Sequence, residues 1–164
     1  MSQQHNGVLS QEQVRLYQEN GYLHMKNVMD SWELERLNAE TSKMIDYCKQ
    51  VMLPNDDYFY AMDPVTGNMV LRRVNGMYTK GDAFFALYGH PRLMGIAESI
   101  LGPNIVSWRD AMVVKMPEYG VSVSWHRDPA HPRVKPPFLV DVYLDAATPE
   151  NGCLHVIPGS HLWQ

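Results

Sequence analysis

Val121-Ser122-Val123-Ser124-Trp125-His126-Arg127-Asp128 alternates apolar and polar side chains along its length. In an extended chain successive side chains point to opposite faces. Ser122, Ser124, His126 and Asp128 therefore share one face, and Val121, Val123 and Trp125 the other. The expectation is a strand that packs its apolar side, Trp125 included, on a core and directs an imidazole and a carboxylate together into a polar space. A His-x-Asp pair so placed can fill two neighbouring positions on a metal. Nitrogen and oxygen donors suit Fe(II), Mn(II) or Zn(II), and two histidines with one carboxylate form the open-sided ligand set of non-haem Fe(II) oxygenases. Taken alone, the tripeptide also reads as a polar strand end before a turn at Pro129.

Downstream, Glu150-Asn151-Gly152-Cys153-Leu154-His155-Val156-Ile157-Pro158-Gly159-Ser160-His161 reads as a turn, a short strand over Cys153 to Ile157 and a second turn. Asn-Gly favours a tight hairpin turn, and Pro-Gly-Ser-His makes another. Two more β-rich runs, Ile105 to Met116 and Phe138 to Leu144, are bounded by turn residues. A β-core is thus expected from about residue 104 to the end of the chain.

Upstream the pattern is helical. Ser10 with Gln13 reads as a capping box, and Val14, Leu16 and Tyr17 continue a helix that stops at Asn20-Gly21. A short strand is expected over Tyr22 to Met25. Asp30 with Glu33 opens a second helix, with Leu37, Thr41, Met44 or Ile45, and Cys48 at helical spacing, which should cover a sheet. Residues 54–82 are rich in Pro, Asn, Asp and Gly and predict a long loop or short irregular strands. A third helix is expected from Pro91 to Leu101, closed by Gly102-Pro103. There is no internal repeat.

The 164 residues are 45% apolar and 20% charged, as in a single globular domain. A net charge of −4 without a basic stripe argues against a nucleic-acid or anionic-membrane partner. No window reaches the roughly 20 apolar residues of a membrane span, and Met1 to Ser10 lacks the blocks of a signal peptide. The expected location is the cytoplasm. Cys48 and Cys153 read as small, buried, reduced thiols, and the eleven methionines as core filler.

In this order and separation, Trp125-His126-Arg127-Asp128, Asn151-Gly152-Cys153-Leu154 and Pro158-Gly159-Ser160-His161 resemble the phytanoyl-CoA dioxygenase family. So do Leu9-Ser10 with Gln13, Glu19-Asn20-Gly21-Tyr22, Arg72-Arg73, Leu101-Gly102-Pro103, and Lys115-Met116-Pro117 with Gly120. The resemblance covers essentially the whole chain. It implies a mainly β protein with N-terminal helices and a double-stranded β-helix core of the jelly-roll, cupin-like kind. Residues 1–164 would form one domain, with 1–103 the helical region and loop and 104–164 the first part of the core.

What the resemblance implies about activity follows residue by residue. His126 and Asp128 match the family's first two iron ligands, so the expected cofactors are Fe(II), 2-oxoglutarate as cosubstrate and O2. Related halogenases carry a small residue in place of the aspartate, so Asp128 points to hydroxylation of a small-molecule or acyl substrate with release of succinate and CO2. Lys115 and Met112 fall where family members line the cosubstrate or substrate pocket; Lys115 reads equally as a solvated strand residue. Arg72 and Arg73 have the geometry to meet a carboxylate or phosphate, although a plain surface role fits them better. Pro129 to Pro137 reads as a loop near the metal able to form part of a lid, and the loop setting and Pro132 discount His131 as a ligand.

The family's second histidine ligand and the arginine that pairs with 2-oxoglutarate lie beyond the Pro-Gly-Ser-His turn. They are expected past Gln164, with His155 and His161 the weaker candidates within the chain. Residues 104–164 hold about four to six strands, against about eight in a complete jelly roll. The expectation is a C-terminally incomplete oxygenase, unstable on its own. A non-catalytic or regulatory module, and a cupin-like metal enzyme that does not use 2-oxoglutarate, remain the alternatives. Oligomeric state is open.

Overall fold

Ser10 begins the first helix as its spacing predicts. Its hydroxyl accepts from the Gln13 amide at 3.2 Å, and the Gln13 side chain accepts from the Ser10 amide at 2.9 Å. Helix α1 runs Gln11–Asn20 and ends at Gly21, whose amide donates to the Tyr17 carbonyl at 2.7 Å. The computed structural model describes residues 8–51, 55–115, 123–127 and 138–163.

Helix α2, Ser31–Val51, opens with the Asp30 amide donating to the Glu33 carboxylate at 2.7 Å. It does cover a sheet. Strands β1 (Tyr58–Met62), β2 (Met69–Asn75) and β3 (Ala111–Val113) are antiparallel in that order, with Tyr58 opposite Val74 and Val74 opposite Met112. Leu37 and Cys48 of α2 meet Leu71 and Val74 of β2, and Met77, Ala83, Phe84 and Val114 complete this cluster. Met44 and Ile45 pack beside it, as their spacing implies.

The segment expected as loop or irregular strands therefore contains the centre of the sheet. Asp63, Pro64 and Gly67 in that stretch mark the β1–β2 connection. There the buried Asp63 carboxylate accepts from the Val65 amide at 3.0 Å, the Thr66 amide at 3.2 Å and the Thr66 hydroxyl. Helix α3, Asp82–Tyr88, is a further addition. Its N-terminus is satisfied from outside: both Glu40 carboxylate oxygens accept from the Ala83 amide, at 3.2 and 3.1 Å. Gly81 permits that approach, because a Cβ there would fall 2.1 Å from Glu40 Oε2. Helix α4 spans Pro91–Leu101, as read from Pro91 and Gly102.

Other expected strands are not seen. Tyr22 to Met25, and the described parts of 121–126, 138–144 and 153–157, have no regular secondary structure. A strand needs a ladder partner, and none of the described residues pairs with these segments. Of the described residues Ile105 to Lys115, only Ala111–Val113 is a strand. The expectation that Trp125 and Val123 pack on a core is corrected by the same fact: they are 69% and 59% exposed. Cys48 is buried and Cys153 only half-buried, and both are free thiols. No described helix is long and apolar enough to cross a membrane.

Leu37 is 2% exposed at the centre of the α2–sheet contact. Leu37→Ala should destabilise the fold by about 2–5 kcal/mol, read by chemical denaturation. A second prediction concerns acid. Glu33 Oε1 lies 2.9 Å from His90 Nε2 at the start of α4. The Asp30 amide first, and then His90, hold the Glu33 carboxyl below the usual carboxylate range. A value depressed in the folded state stabilises above the unfolded value, and that stabilisation is lost as pH falls through the folded one. Glu33→Gln should therefore flatten the acid limb of stability below about pH 4.3, measured by thermal melts across pH.

Candidate metal centre

His126 Nδ1 lies 2.7 Å from the Ser124 carbonyl. A carbonyl only accepts, so Nδ1 carries the hydrogen and Nε2 the lone pair, the arrangement in which a metal-ligating imidazole is oriented by its other nitrogen. Asp128, the second expected ligand, lies outside the described residues, as do Met116 to Ser122 and Pro129 to Pro137 with His131.

The residue between the two expected ligands has a structural role that its spacing did not suggest. Arg127 Nη1 donates to the Trp163 carbonyl at 2.7 Å and Nη2 to the Ser160 carbonyl at 2.9 Å. The Pro158-Gly159 turn and the 3-10 turn Ser160–Leu162 thus sit against the His126 segment. These turns are fixed in their own right on α1. The Gly159 amide donates to the Asn20 carbonyl at 2.8 Å, and His161 Nε2 donates to the Gln18 carbonyl at 3.0 Å. One signal in the sequence could have pointed to Arg127. By strand parity it shares the face of Val123 and Trp125, where a cation needs a specific partner.

Lys115 is exposed just past β3, and its ammonium donates to the Gly152 carbonyl. This joins the sheet to the Asn151-Gly152 turn. That turn is not a hairpin but a 3-10 turn, Pro149–Asn151, in which the Asn151 side chain accepts from the Thr148 amide at 2.8 Å. Met112 lies on β3 and packs against the core cluster. Arg72 and Arg73 belong to β2, not to a loop, and Arg73 Nε donates to the Asn75 side chain at 2.8 Å.

Of the two in-chain candidates for a third ligand, His161 has its Nε2 hydrogen committed to Gln18, and His155 Nε2 lies 3.7 Å from Cys153 Sγ. Among the described residues no three His, Cys, Asp or Glu side chains converge as a metal site. The donor set that is present, an oriented imidazole and a carboxylate two residues on in sequence, fits an Fe(II) centre as part of its ligands.

Residues 17–164 match the phytanoyl-CoA dioxygenase (PhyH) family. The chain belongs to this family. Peroxisomal phytanoyl-CoA dioxygenase of Mus musculus is 25% identical over 168 residues, covering 95% of this chain and 48% of the relative. A probable alpha-ketoglutarate-dependent hypophosphite dioxygenase of Stutzerimonas stutzeri is 26% identical over 152 residues, covering 92% of this chain and 53% of the relative. The crystal structure of EvdMO1 superposes with a TM-score of 0.74 at 31% identity, covering 92% of this PhyH-family chain and 36% of that protein. The chain thus spans about half the length of the curated relatives it matches.

Gly21 of this PhyH-family chain lies at φ 81°, and a Cβ there would fall 2.3 Å from His161 Nδ1. Gly21→Ala should cost about 1–2 kcal/mol for the left-handed backbone alone and should also push His161 off α1. Faster amide exchange at Gly159 and at Ser160 to Trp163 than in the wild type is the expected readout.

Proposed function

We propose that His126 and Asp128 are iron ligands of an Fe(II)- and 2-oxoglutarate-dependent dioxygenase that hydroxylates a small-molecule or acyl substrate, releasing succinate and CO2. One observation carries the reading: within a chain of the PhyH family, the His126 imidazole is fixed through Nδ1 by the Ser124 carbonyl. Bound Fe(II) would supply the redox chemistry that couples O2 and 2-oxoglutarate turnover to substrate oxidation. The chain's own part is to orient two ligands and to bring polar groups beside them. Lys115 and Met112 enter the proposal as residues near the cosubstrate, Lys115 through its cation at Gly152 and Met112 through its place on β3.

A double-stranded β-helix core belongs to the same proposal. It is supported by the apolar side chains that stand exposed along the later segments, among them Leu139 and Leu154. In such a core these residues face a second sheet. A second reading is a non-catalytic PhyH-like module.

One titration separates the two. Fe(II) added anaerobically with 2-oxoglutarate should give a weak visible charge-transfer band, and His126→Ala and Asp128→Ala should each abolish it. A wild-type chain that stays colourless at saturating iron and cosubstrate would favour the non-catalytic module.

A further inference from the structure

We infer that Arg127 is the positioning residue of the metal centre, transmitting the placement of the Ser160–Leu162 turn to His126, the residue before it. The inference rests on the proposed iron-ligating role of His126 and Asp128. Its basis is a chain of polar contacts running from α1 to the His126 segment.

The chain has three links. At α1, the Gln18 and Asn20 carbonyls accept from His161 Nε2 and from the Gly159 amide. The turn they hold is closed internally, with the Leu162 amide donating to Gly159 and the Trp163 amide to Ser160. From that turn the Ser160 and Trp163 carbonyls accept from the two terminal nitrogens of Arg127. A planar guanidinium engaged through both terminal nitrogens is fixed in direction as well as position.

Two separate restraints thus act on the His126 segment. The ring is oriented by Ser124, two residues before it, and the main chain is tethered by the next residue, Arg127. Residues 123–127 are all exposed, and among the described residues they pair with no strand, so polar bonds such as these contribute to holding them. Metal ligands must be held to within about 0.5 Å to bind well, and a directional tether at the intervening residue meets that requirement. The identity of the residue matters for the same reason. Lysine's three donors radiate from one freely rotating nitrogen, so it can reach a carbonyl without the planar fork that fixes two of them in direction.

A competing role for Arg127 is direct pairing with a cosubstrate carboxylate, since arginine commonly does this. Its two bonds to main-chain carbonyls argue instead for a structural tie.

The test uses the whole chain and reads anaerobic Fe(II) affinity without cosubstrate, the visible band with 2-oxoglutarate, and far-ultraviolet circular dichroism. Arg127→Gln should weaken Fe(II) binding about tenfold with an unchanged dichroism spectrum, and Arg127→Lys should recover part of the loss. His161→Ala leaves Arg127 intact but loosens the turn from α1, so it should weaken Fe(II) binding in the same direction. The Arg127→Gln/His161→Ala double variant should bind no more weakly than Arg127→Gln alone, since the two act through one tether.

Wild-type Fe(II) affinity in Arg127→Gln, with His126→Ala unable to bind, overturns the inference while leaving the iron-site reading intact. Normal Fe(II) affinity with loss of the 2-oxoglutarate band alone also overturns it, and assigns Arg127 to the cosubstrate. Wild-type affinity in His126→Ala instead removes the iron-site reading itself and the inference with it. Should Arg127→Gln fail to fold, His161→Ala decides, and an unchanged Fe(II) affinity there refutes the tether.

Discussion

The seating of α2 on β2 is the contact from which the rest of the molecule hangs. Leu37 and Cys48 on one side and Leu71 and Val74 on the other are all nearly inaccessible to solvent. Burying these side chains contributes hydrophobic stabilisation at the centre of the fold. Each neighbouring element is then attached through α2 or β2. Glu40 of α2 satisfies the start of α3, Glu33 of α2 meets His90 at the start of α4, and the Arg72 carbonyl of β2 accepts from the Val114 amide just after β3. Asn38 of α2 reaches the Leu144 carbonyl at 3.4 Å, so even the later chain is referred to this helix.

The expected metal segment stands in contrast to that platform. Around His126 the ties are polar and directional: Ser124 to the ring, and Arg127 to the Ser160 and Trp163 carbonyls. Hydrogen bonds exposed to water contribute about 0.5–1.5 kcal/mol net, far less than a buried aliphatic contact, but they specify angle and distance where apolar packing does not. Local opening is easiest where few apolar contacts are buried. The geometry of the site is therefore set by a handful of polar bonds on a platform whose stability comes from elsewhere.

What could be read from the sequence divides along the same line. Capping at Ser10 and Asp30, the stripe through Leu37 and Cys48, and the Pro91 and Gly102 boundaries of α4 are local signals, and each is realised. Helix α3 was not readable because its N-terminal partner, Glu40, lies 43 residues away in sequence. The strands β1 and β2 were masked by the turn residues of their own connection at Asp63 to Asn68. Trp125 misled because strand parity says which side chains share a face, not whether anything covers that face. In the candidate site, the histidine and aspartate types and their spacing were readable. The role of Arg127 was not, because both of its acceptors are main-chain carbonyls, which no residue pattern announces.

These same acceptors explain why the two ends of the chain meet at the site. Gln18 and His161 are 143 residues apart in sequence and yet bonded, and Arg127 reaches Trp163 across 36 residues. Contacts of such separation carry a large loop-closure cost and form only after the elements between them are in place. The His126 segment should accordingly be ordered late, once α1 has docked and the Ser160–Leu162 turn has closed on it. Tyr17 of α1, with its ring 5.7 Å from that of Phe138, adds an aromatic contact near the end of the same helix. Helix α1 buries no residue fully and contributes little to the core. Its C-terminal carbonyls instead anchor the turn that Arg127 ties to the His126 segment.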